Sequence, residues 1–270
     1  DLQNAFLQFC QSVPFYGEVI LCADSPGVQE ILPKIERPMT TYGRSRDAAY
    51  RAENLRFIEN YSTYSVFRAE ENLGEIHLNV PGEHNVLNSL AAVVLGLEMG
   101  LSFQMIQKGI STYQGVRRRF EIKGIHNDIM VVDDYAHHPT EVEATLQAAK
   151  AGWDRRIVAV FQPHLFTRTQ AFFREFAKTL QIADVVVITD IYPAREQPIP
   201  GVTAKLIYVE CQRSMGDQCF HIPDLDDLEK ILDEIVKPND LIITMGAGSI
   251  WRYSESYTNH LAFLADGVKS

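Results

Sequence analysis

The sequence predicts an α/β protein with two domains, because two parts of its 270 residues show different patterns. In residues 1–117, segments of alternating polar and apolar residues precede two helical segments, which is typical of a small antiparallel sheet packed against helices. In residues 118–270, short apolar runs alternate with helix-like segments, which is typical of a parallel sheet covered on both faces. We therefore expect a mixed first domain and a second domain with a mainly parallel sheet.

The first domain begins with a helix predicted over residues 2–13. The segments LRFIEN, YSVFRAE and EIHLNV then predict a meander, with turns at Asn60 and at Asn72-Leu73-Gly74. Two further helices are predicted over residues 84–99 and 102–110. The first of these should bury an apolar stripe at helical spacing, made of Leu87, Leu90, Ala91, Val94 and Leu95.

Four apolar runs predict the strands of the second domain, namely Ile129–Val132, Ile157–Phe161, Val185–Ile188 and Leu241–Thr244. Thr140 and Glu143 form a T-x-x-E capping box after Pro139, which predicts that a helix begins there. A later helix should bury an apolar stripe made of Phe172, Phe173, Phe176 and Leu180.

Composition narrows the class of protein. The net charge of −10 argues against a general nucleic-acid binder, which needs a basic face. No apolar run approaches the roughly 18 residues of a membrane span, and the first 17 residues lack the features of a signal peptide. The four cysteines are widely scattered, which suits packing roles in a reduced, cytoplasmic protein. We expect neither a nucleic-acid nor a membrane partner.

Polar loops follow the four predicted strands of the second domain, and three of them are rich in acidic residues, histidine and arginine. They are residues 133–139, 162–169, 190–196 and the glycine-containing 246–250. Because parallel strands bind ligands at their carboxyl ends, these loops should meet at one edge of the sheet. The sequence therefore predicts a ligand site at that edge.

Asp133 and Asp134 should point to opposite sides if their strand continues through them. One can then face a ligand while the other braces a loop; alternatively, both cap the next helix. The adjacent His137 and His138 do not suit one metal ion, because neighbouring histidines rarely converge. Hydrogen bonding to a substrate, or support of the loop, fits them better.

His164 and Arg168 lie four residues apart and would share a face if this segment is helical. A positive helix end with an arginine suits a carboxylate or phosphate, although a surface arginine beside a loop histidine is the alternative. Gly246-Ala247-Gly248 is an incomplete dinucleotide fingerprint, and we interpret it as a tight β–α turn.

The first domain carries a second polar cluster, at the start of its predicted helix over 84–99. Asn85 and Asn88 should face the same way, and their amides suit a nucleobase edge or a polar substrate. Helix capping by Asn85 is the alternative. The basic run at residues 117–119 could reach a phosphate from the domain junction, or could be a solvated face.

Together these motifs resemble the Mur ligase family of peptidoglycan synthesis. The matching segments are GEHNVLNSLAA (82–92), GVRRRFE (115–121), DDYAHHPTE (133–141), FQPHLFTRT (161–169), YPARE (192–196) and GAGSI (246–250). The resemblance implies that residues 1–117 are the end of an ATP-binding central domain and that residues 118–270 are a Rossmann-like C-terminal domain. The family's G-x-x-G-K-T loop is absent, so we expect part of a longer ligase that is inactive alone.

The resemblance also implies roles for individual residues. Cofactor-binding roles fall on His84, Asn85, Asn88, Arg119, Asp134 and His137, with Arg119 at the ATP phosphates. Catalytic roles fall on Arg119, His164 and Arg168. Leu165 departs from the family, because many members carry a second arginine there, and this leaves more of the anion-binding role to Arg168.

The reaction that the resemblance implies is ATP-dependent joining of L-alanine to UDP-N-acetylmuramate through an acyl phosphate. Mg²⁺ is also implied, with its ligands expected mainly in the missing upstream part and none assigned here. A ligase that joins a whole tripeptide to the same nucleotide sugar is the close alternative. A non-catalytic nucleotide-binding or sugar-binding module is a third possibility, and an NAD-dependent oxidoreductase is the weakest.

Overall fold

The computed structural model describes residues 2–267, which divide into two compact units with their border between Gln114 and Gly115. The border expected from the sequence follows residue 117. Each unit has its own sheet and its own apolar core.

The first unit is built on a five-stranded sheet with the strands in chain order: β1 (Val19–Cys22), β2 (Met39–Gly43), β3 (Tyr50–Ile58), β4 (Tyr61–Arg68) and β5 (Glu71–Leu78). The first three strands run parallel and the last three form the predicted antiparallel meander. The helices are α1 (Leu2–Gln11), α2 (Pro26–Ile31), α3 (Glu83–Glu98) and α4 (Phe103–Ser111). The mixed sheet and both predicted late helices are therefore present.

The second predicted turn of the meander was wrong. The turn lies at residues 69–70, and residues 72–74 belong to β5. Leu73 is an extra residue in the pairing of β4 with β5, which makes a β-bulge. Gly74 has a φ of +136°, and a Cβ there would lie 2.7 Å from the ring of Phe103. Gly74 therefore permits a β-bulge close to Phe103 of α4. In a sequence, a glycine at a bulge looks the same as a glycine at a turn.

The apolar stripe predicted on α3 was partly wrong. Leu90 and Val94 are buried as expected, but Leu95 is 51% exposed. The buried face continues instead through Val86 and Val93. The helix packs on strands β1–β4 as well as on α4, and this wide contact selects a face rotated from the predicted one.

The second unit contains a six-stranded sheet in the order β10-β9-β8-β11-β7-β6. All neighbours pair in parallel except β6, which runs antiparallel to β7. The strands are β6 (Glu121–His126), β7 (Ile129–Asp134), β8 (Arg156–Phe161), β9 (Val185–Thr189), β10 (Cys219–Ile222) and β11 (Asp240–Met245). The four predicted runs are all strands. The sequence missed β6 and β10, which lie at the two edges and carry fewer buried residues.

Helices cover both faces of this sheet. One apolar core contains buried residues of α5 (Pro139–Gly152), α6 (Phe166–Leu180) and α7 (Lys205–Met215). The other contains buried residues of α8 (Leu228–Ile235) and α9 (Ile250–Gly267). Of the predicted stripe on α6, Phe176 and Leu180 are fully buried, while Phe172 and Phe173 pack at the border of the core.

The start of α5 corrects the predicted capping box. The helix begins at Pro139, and His138 is the N-cap residue. Glu141 accepts hydrogen bonds from the backbone nitrogens of His137 at 3.0 Å and His138 at 3.2 Å. Proline suits the first helical position, because its φ is already helical and it has no N–H to satisfy. The box therefore lies two residues before the predicted Thr140–Glu143 pair.

Two further properties concern the helices and the cysteines. Among residues 2–267, no helix is long and apolar enough to cross a membrane. The four cysteines are free thiols, and Cys10, Cys211 and Cys219 are buried.

Candidate active site

Four loops of the second unit lie side by side, because strands β9, β8, β11 and β7 are neighbours and run in parallel. Their carboxyl ends lead into residues 190–196, 162–165, 246–249 and 135–138. The structure thus brings the polar loops to one edge of the sheet. Arg119, Asp134, His137, His164 and Arg168 all belong to this unit.

Asp133 anchors a buried network below that edge. Its side chain is fully buried and accepts hydrogen bonds from Nε of Arg118 at 3.0 Å and from Oγ1 of Thr244 at 2.9 Å. The Arg118 guanidinium also donates to the carbonyl of Gly246 at 2.6 Å and lies 4.9 Å from the ring centre of Tyr135. Arg118 therefore connects the ends of β7 and β11 to the loop after β7. This role was not predicted for Arg118, which lies in the basic run at residues 117–119.

Asp134 braces the loop after β7 from the inside. Its two carboxylate oxygens accept the backbone N–H groups of Phe120 at 2.8 Å and Ala136 at 2.7 Å. Burial raises the pKa of Asp134 to about 6, although these two hydrogen bonds and the charge of Arg119 favour the ionised form. Neither Asp133 nor Asp134 caps α5, because His138 and Glu141 do so.

Arg119 differs from its neighbour in exposure. Its side chain is 50% exposed, with a guanidinium nitrogen 3.7 Å from Oε1 of Glu141. The guanidinium carbon lies 5.6 Å from the ring centre of Tyr135. At these distances, contacts within the protein use little of the hydrogen-bonding capacity of Arg119. Its guanidinium can therefore bind an anionic ligand.

His137 is oriented by its own loop and by α5. Its Nδ1 lies 2.9 Å from the carbonyl oxygen of Tyr135 and 3.2 Å from Oε2 of Glu141. Burial acts to raise the pKa of Glu141, but hydrogen bonds from the His137 and His138 backbone and the charges of His137 and Arg119 hold it below its ordinary value. Glu141 is therefore an ionised partner behind the His137 ring.

His164 lies before α6 rather than within it, so the predicted shared helical face was wrong. It forms a parallel bridge with Tyr192, and α6 begins at Phe166. Leu165, with a φ of +72°, turns the chain between them. This turn still places Nη1 of Arg168 3.4 Å from Nδ1 of His164.

The His164 ring lies between two other rings. It stacks on Tyr192 with the ring centres 5.8 Å apart, and it lies 5.8 Å from the His137 ring at a steep angle. Burial lowers the pKa of His164, and the charges of Arg168 and His137 lower it further against the opposing effect of Glu196. The neutral imidazole is therefore the favoured form of His164 at neutral pH.

The loop after β9 holds this arrangement together. Glu196 accepts the backbone N–H of Thr167 at 3.0 Å and also its hydroxyl, which fixes the first turn of α6. A Cβ on Gly248 would lie 2.5 Å from Cγ of Tyr192 and 2.4 Å from Oε1 of Gln162. Gly248 thus permits close packing beneath Tyr192. The motif YPARE indicated this loop in the sequence, although none of its residues was predicted to belong to the site.

The other predicted site residues lie in the first unit, at the start of α3. Asn85 and Asn88 line a cavity of about 330 Å³, together with the largely apolar set Leu78, Val80, Ser89, Ala92, Gly109, Ile110 and Tyr113. Asn85 donates to the carbonyl of Pro81 at 2.7 Å and is not the N-cap, which is Gly82. His84 lies exposed on the first turn. Apolar walls with a few amide groups suit a flat heterocycle.

The side chains that could ligate a metal ion are those of histidine, cysteine, aspartate and glutamate. Within the part of the chain that the structure describes, no group of three or more His, Cys, Asp or Glu side chains could hold a metal ion.

Two family models match the chain over most of its length. A model described as Mur ligase middle domain matches residues 1–96, and one described as Mur ligase, glutamate ligase domain matches residues 118–248. The chain belongs to the Mur ligase family. Its predicted Rossmann-like second domain and mixed first domain agree with this assignment.

Curated relatives within the Mur ligase family are similar over nearly the whole chain. The UDP-N-acetylmuramate–L-alanine ligase of Salinibacter ruber is 49% identical over 262 residues, which are 96% of this chain and 55% of that protein. The ligase of the same name from Syntrophus aciditrophicus is 45% identical over 98% of this chain and 55% of its own length. This Mur ligase chain therefore spans about half the length of these relatives.

Solved structures of ligases are also similar to this chain. The UDP-N-acetylmuramate-alanine ligase of Thermotoga maritima superposes with a TM-score of 0.78 at 28% identity, covering 96% of this chain and 54% of that one. The MurF ligase of Thermotoga maritima, solved with ADP, gives a TM-score of 0.76 at 15% identity over 98% of this chain and 58% of its own. The second likeness shows the shared Mur ligase fold alone.

Proposed function

We propose that this protein is an ATP-dependent ligase that joins L-alanine to UDP-N-acetylmuramate in peptidoglycan synthesis. The names of the Salinibacter and Syntrophus relatives support the substrates. The observation that carries the proposal is the cluster of Arg119, His137, His164 and Arg168 at the strand ends of the second unit. Two cations and two imidazoles there suit a reaction between anionic groups.

The chemistry explains why such a cluster is needed. An anionic carboxylate must take up a phosphoryl group, and the resulting acyl phosphate is then attacked by an amine. Arg119 and Arg168 would offset the negative charge that gathers during these steps. Neutral His164 would donate a hydrogen bond to a carboxylate or phosphate oxygen without adding charge. ATP supplies the phosphoryl group.

The cavity in the first unit is our proposed adenine pocket. Its volume and largely apolar walls suit a purine ring, and the Asn88 amide can both donate to and accept from the ring edge. The side-chain nitrogen of Asn85 donates a hydrogen bond to the carbonyl of Pro81. The rest of its amide would help to shape the pocket. We therefore expect Asn88→Leu and Ala92→Phe each to weaken ATP binding about tenfold or more, through loss of an amide contact and through filling of the cavity.

A matched control tests the pocket assignment. Leu95 lies on the same helix, is 51% exposed and does not line the cavity, so Leu95→Phe should leave ATP binding unchanged. Binding is measured by ligand-observed NMR with ATP titrated into each variant. Equal affinities for Ala92→Phe and Leu95→Phe would place adenine elsewhere.

The overall activity is tested by product analysis. The protein as translated from its own coding sequence is incubated with ATP, Mg²⁺, UDP-N-acetylmuramate and either L-alanine or a tripeptide. We expect phosphate release and a UDP-N-acetylmuramoyl-L-alanine product by mass spectrometry. A product only with the tripeptide would reassign the substrate, and no product with either would refute the ligase proposal.

We further propose that residues 1–270 alone are inactive and bind ATP weakly, because the G-x-x-G-K-T phosphate loop is absent from them. Phosphate release that depends on both substrates, measured with this chain alone, would contradict this. A G-x-x-G-K-T loop encoded upstream of Asp1 would support it.

A further inference from the structure

We propose that His137, oriented by Glu141, is the base that takes a proton from the ammonium group of the incoming amino acid. The inference rests on the proposed ligase function and assigns to His137 a chemical role beyond cofactor binding. It depends on which nitrogen of each site histidine is available to a substrate.

The surroundings of His137 determine where its proton lies. Nδ1 lies 2.9 Å from the carbonyl oxygen of Tyr135, and a carbonyl oxygen can only accept. Nδ1 must therefore carry the proton, and a carboxylate oxygen of Glu141 lies 3.2 Å from the same nitrogen. In the neutral ring the lone pair is then on Nε2. None of the contacts described for this unit uses Nε2, so it remains available to a substrate.

His164 has the opposite arrangement. Nη1 of Arg168 lies 3.4 Å from its Nδ1, and a guanidinium can only donate. Nδ1 of His164 is therefore the acceptor, and the proton of the neutral ring lies on Nε2. His164 thus presents an N–H donor, while His137 presents a lone pair. Of the two imidazoles in the site, His137 is the one that can accept a proton from a substrate.

The charged group nearest to the His137 ring is a carboxylate. Glu141 is ionised, and its carboxylate lies 3.2 Å from Nδ1. The other groups facing it are the Tyr135 ring at 5.2 Å and the His164 ring at 5.8 Å, with Arg168 behind His164. Arg119 contacts the far oxygen of Glu141 at 3.7 Å. The nearest full charge is thus negative.

The reaction needs such a base because an amino acid carries an ammonium group at neutral pH. His137 Nε2 removes one proton, and the freed lone pair forms the new C–N bond at the acyl phosphate carbon. The C–O bond to phosphate then breaks, and its electron pair leaves with the phosphate. The second N–H proton leaves with the phosphate as hydrogen phosphate, and His137 returns the first proton to water.

Hydroxylamine separates this role from the others, since it is largely uncharged at neutral pH and attacks an acyl phosphate without prior deprotonation. In the protein as translated, supplied with ATP, Mg²⁺ and UDP-N-acetylmuramate, we expect His137→Gln to lower the rate with L-alanine by about 100-fold or more. Hydroxamate formation by the same variant should fall far less than its rate with L-alanine. Glu141→Gln should lower the alanine-to-hydroxylamine ratio less strongly.

His138→Gln is the matched control, because its ring faces Thr140 and Phe172, and the ratio should not change. Equal losses with both nucleophiles in His137→Gln would indicate a role in ATP binding or in the fold and would overturn the inference. An unchanged rate with L-alanine would overturn it as well. If the unmodified protein forms a hydroxamate but no alanine product, the proposed amino acid is wrong; if it forms neither, the ligase function fails.

Discussion

Arg118 and Asp133 form an ion pair of 3.0 Å in which the carboxylate is fully buried and the arginine side chain is 22% exposed. The next residue, Arg119, is 50% exposed, and its guanidinium lies 3.7 Å from Glu141 and 5.6 Å from the ring centre of Tyr135. Adjacent arginines thus have different tasks. Arg118 holds the sheet edge together, whereas Arg119 is available to a ligand.

Removal of Arg118 should destabilise the second unit strongly. Among the described residues, Arg118→Met leaves Thr244 as the side-chain hydrogen-bond partner of the buried Asp133, and we expect a loss of about 3 kcal/mol in the free energy of unfolding. Urea denaturation measures it. The exposed Arg117→Met is the control, and the double variant Arg118→Met/Asp133→Asn should lose less than the sum of its parts. A loss no larger than that of Arg117→Met would mean that the buried pair is not stabilising.

Removal of Arg119 should separate activity from stability. Because Arg119 is half exposed and its contacts are long, Arg119→Ala should change the free energy of unfolding by less than about 0.5 kcal/mol. In the protein as translated, the same change should lower turnover by about 100-fold or more, since one cation fewer faces the developing charge. Near-normal turnover, with UDP-N-acetylmuramate and L-alanine as substrates, would exclude this role.

Asp134 should make stability depend on pH. Its pKa is about 6 in the fold, above its ordinary value of 3.8, because burial penalises the charged form. The folded state then binds more protons than the unfolded state between about pH 4 and 6, so this group's contribution falls as pH rises. Unfolding free energies at several pH values should show the unmodified protein losing up to about 3 kcal/mol relative to Asp134→Asn. Parallel pH profiles for the two proteins would show that Asp134 ionises normally.

Gly248 should be intolerant of a side chain. A Cβ there would overlap Tyr192 and Gln162, so Gly248→Ala must displace the ring that stacks on His164. We expect a clear loss of ligase turnover with the protein still folded, measured by product formation and circular dichroism. Gly27→Ala is the control, because nothing lies within 4 Å of its added Cβ. Full activity in Gly248→Ala would show that the Tyr192 stack is not needed.

Periodicity predicted the sheet-forming parts of the molecule well, and it failed where one residue type has several uses. The buried parallel strands are continuous apolar runs, which few other elements produce. Gly74 in contrast signals a turn or a bulge equally well, and only the packing of Phe103 above it selects the bulge. The edge strands β6 and β10 were missed because a half-exposed strand leaves a weak pattern.

The sequence by itself determined the two α/β parts, the strands of the parallel sheet and the edge where polar loops gather, because hydrophobic periodicity and chain direction are local properties. Tertiary structure alone decided which arginine is buried and which loop supports the first turn of α6, where Arg168 lies. Those outcomes depend on partners far apart in the chain, such as Arg118 with Gly246 and Thr167 with Glu196. Neighbouring residues of one type are equivalent in a sequence, and a folded environment makes them different.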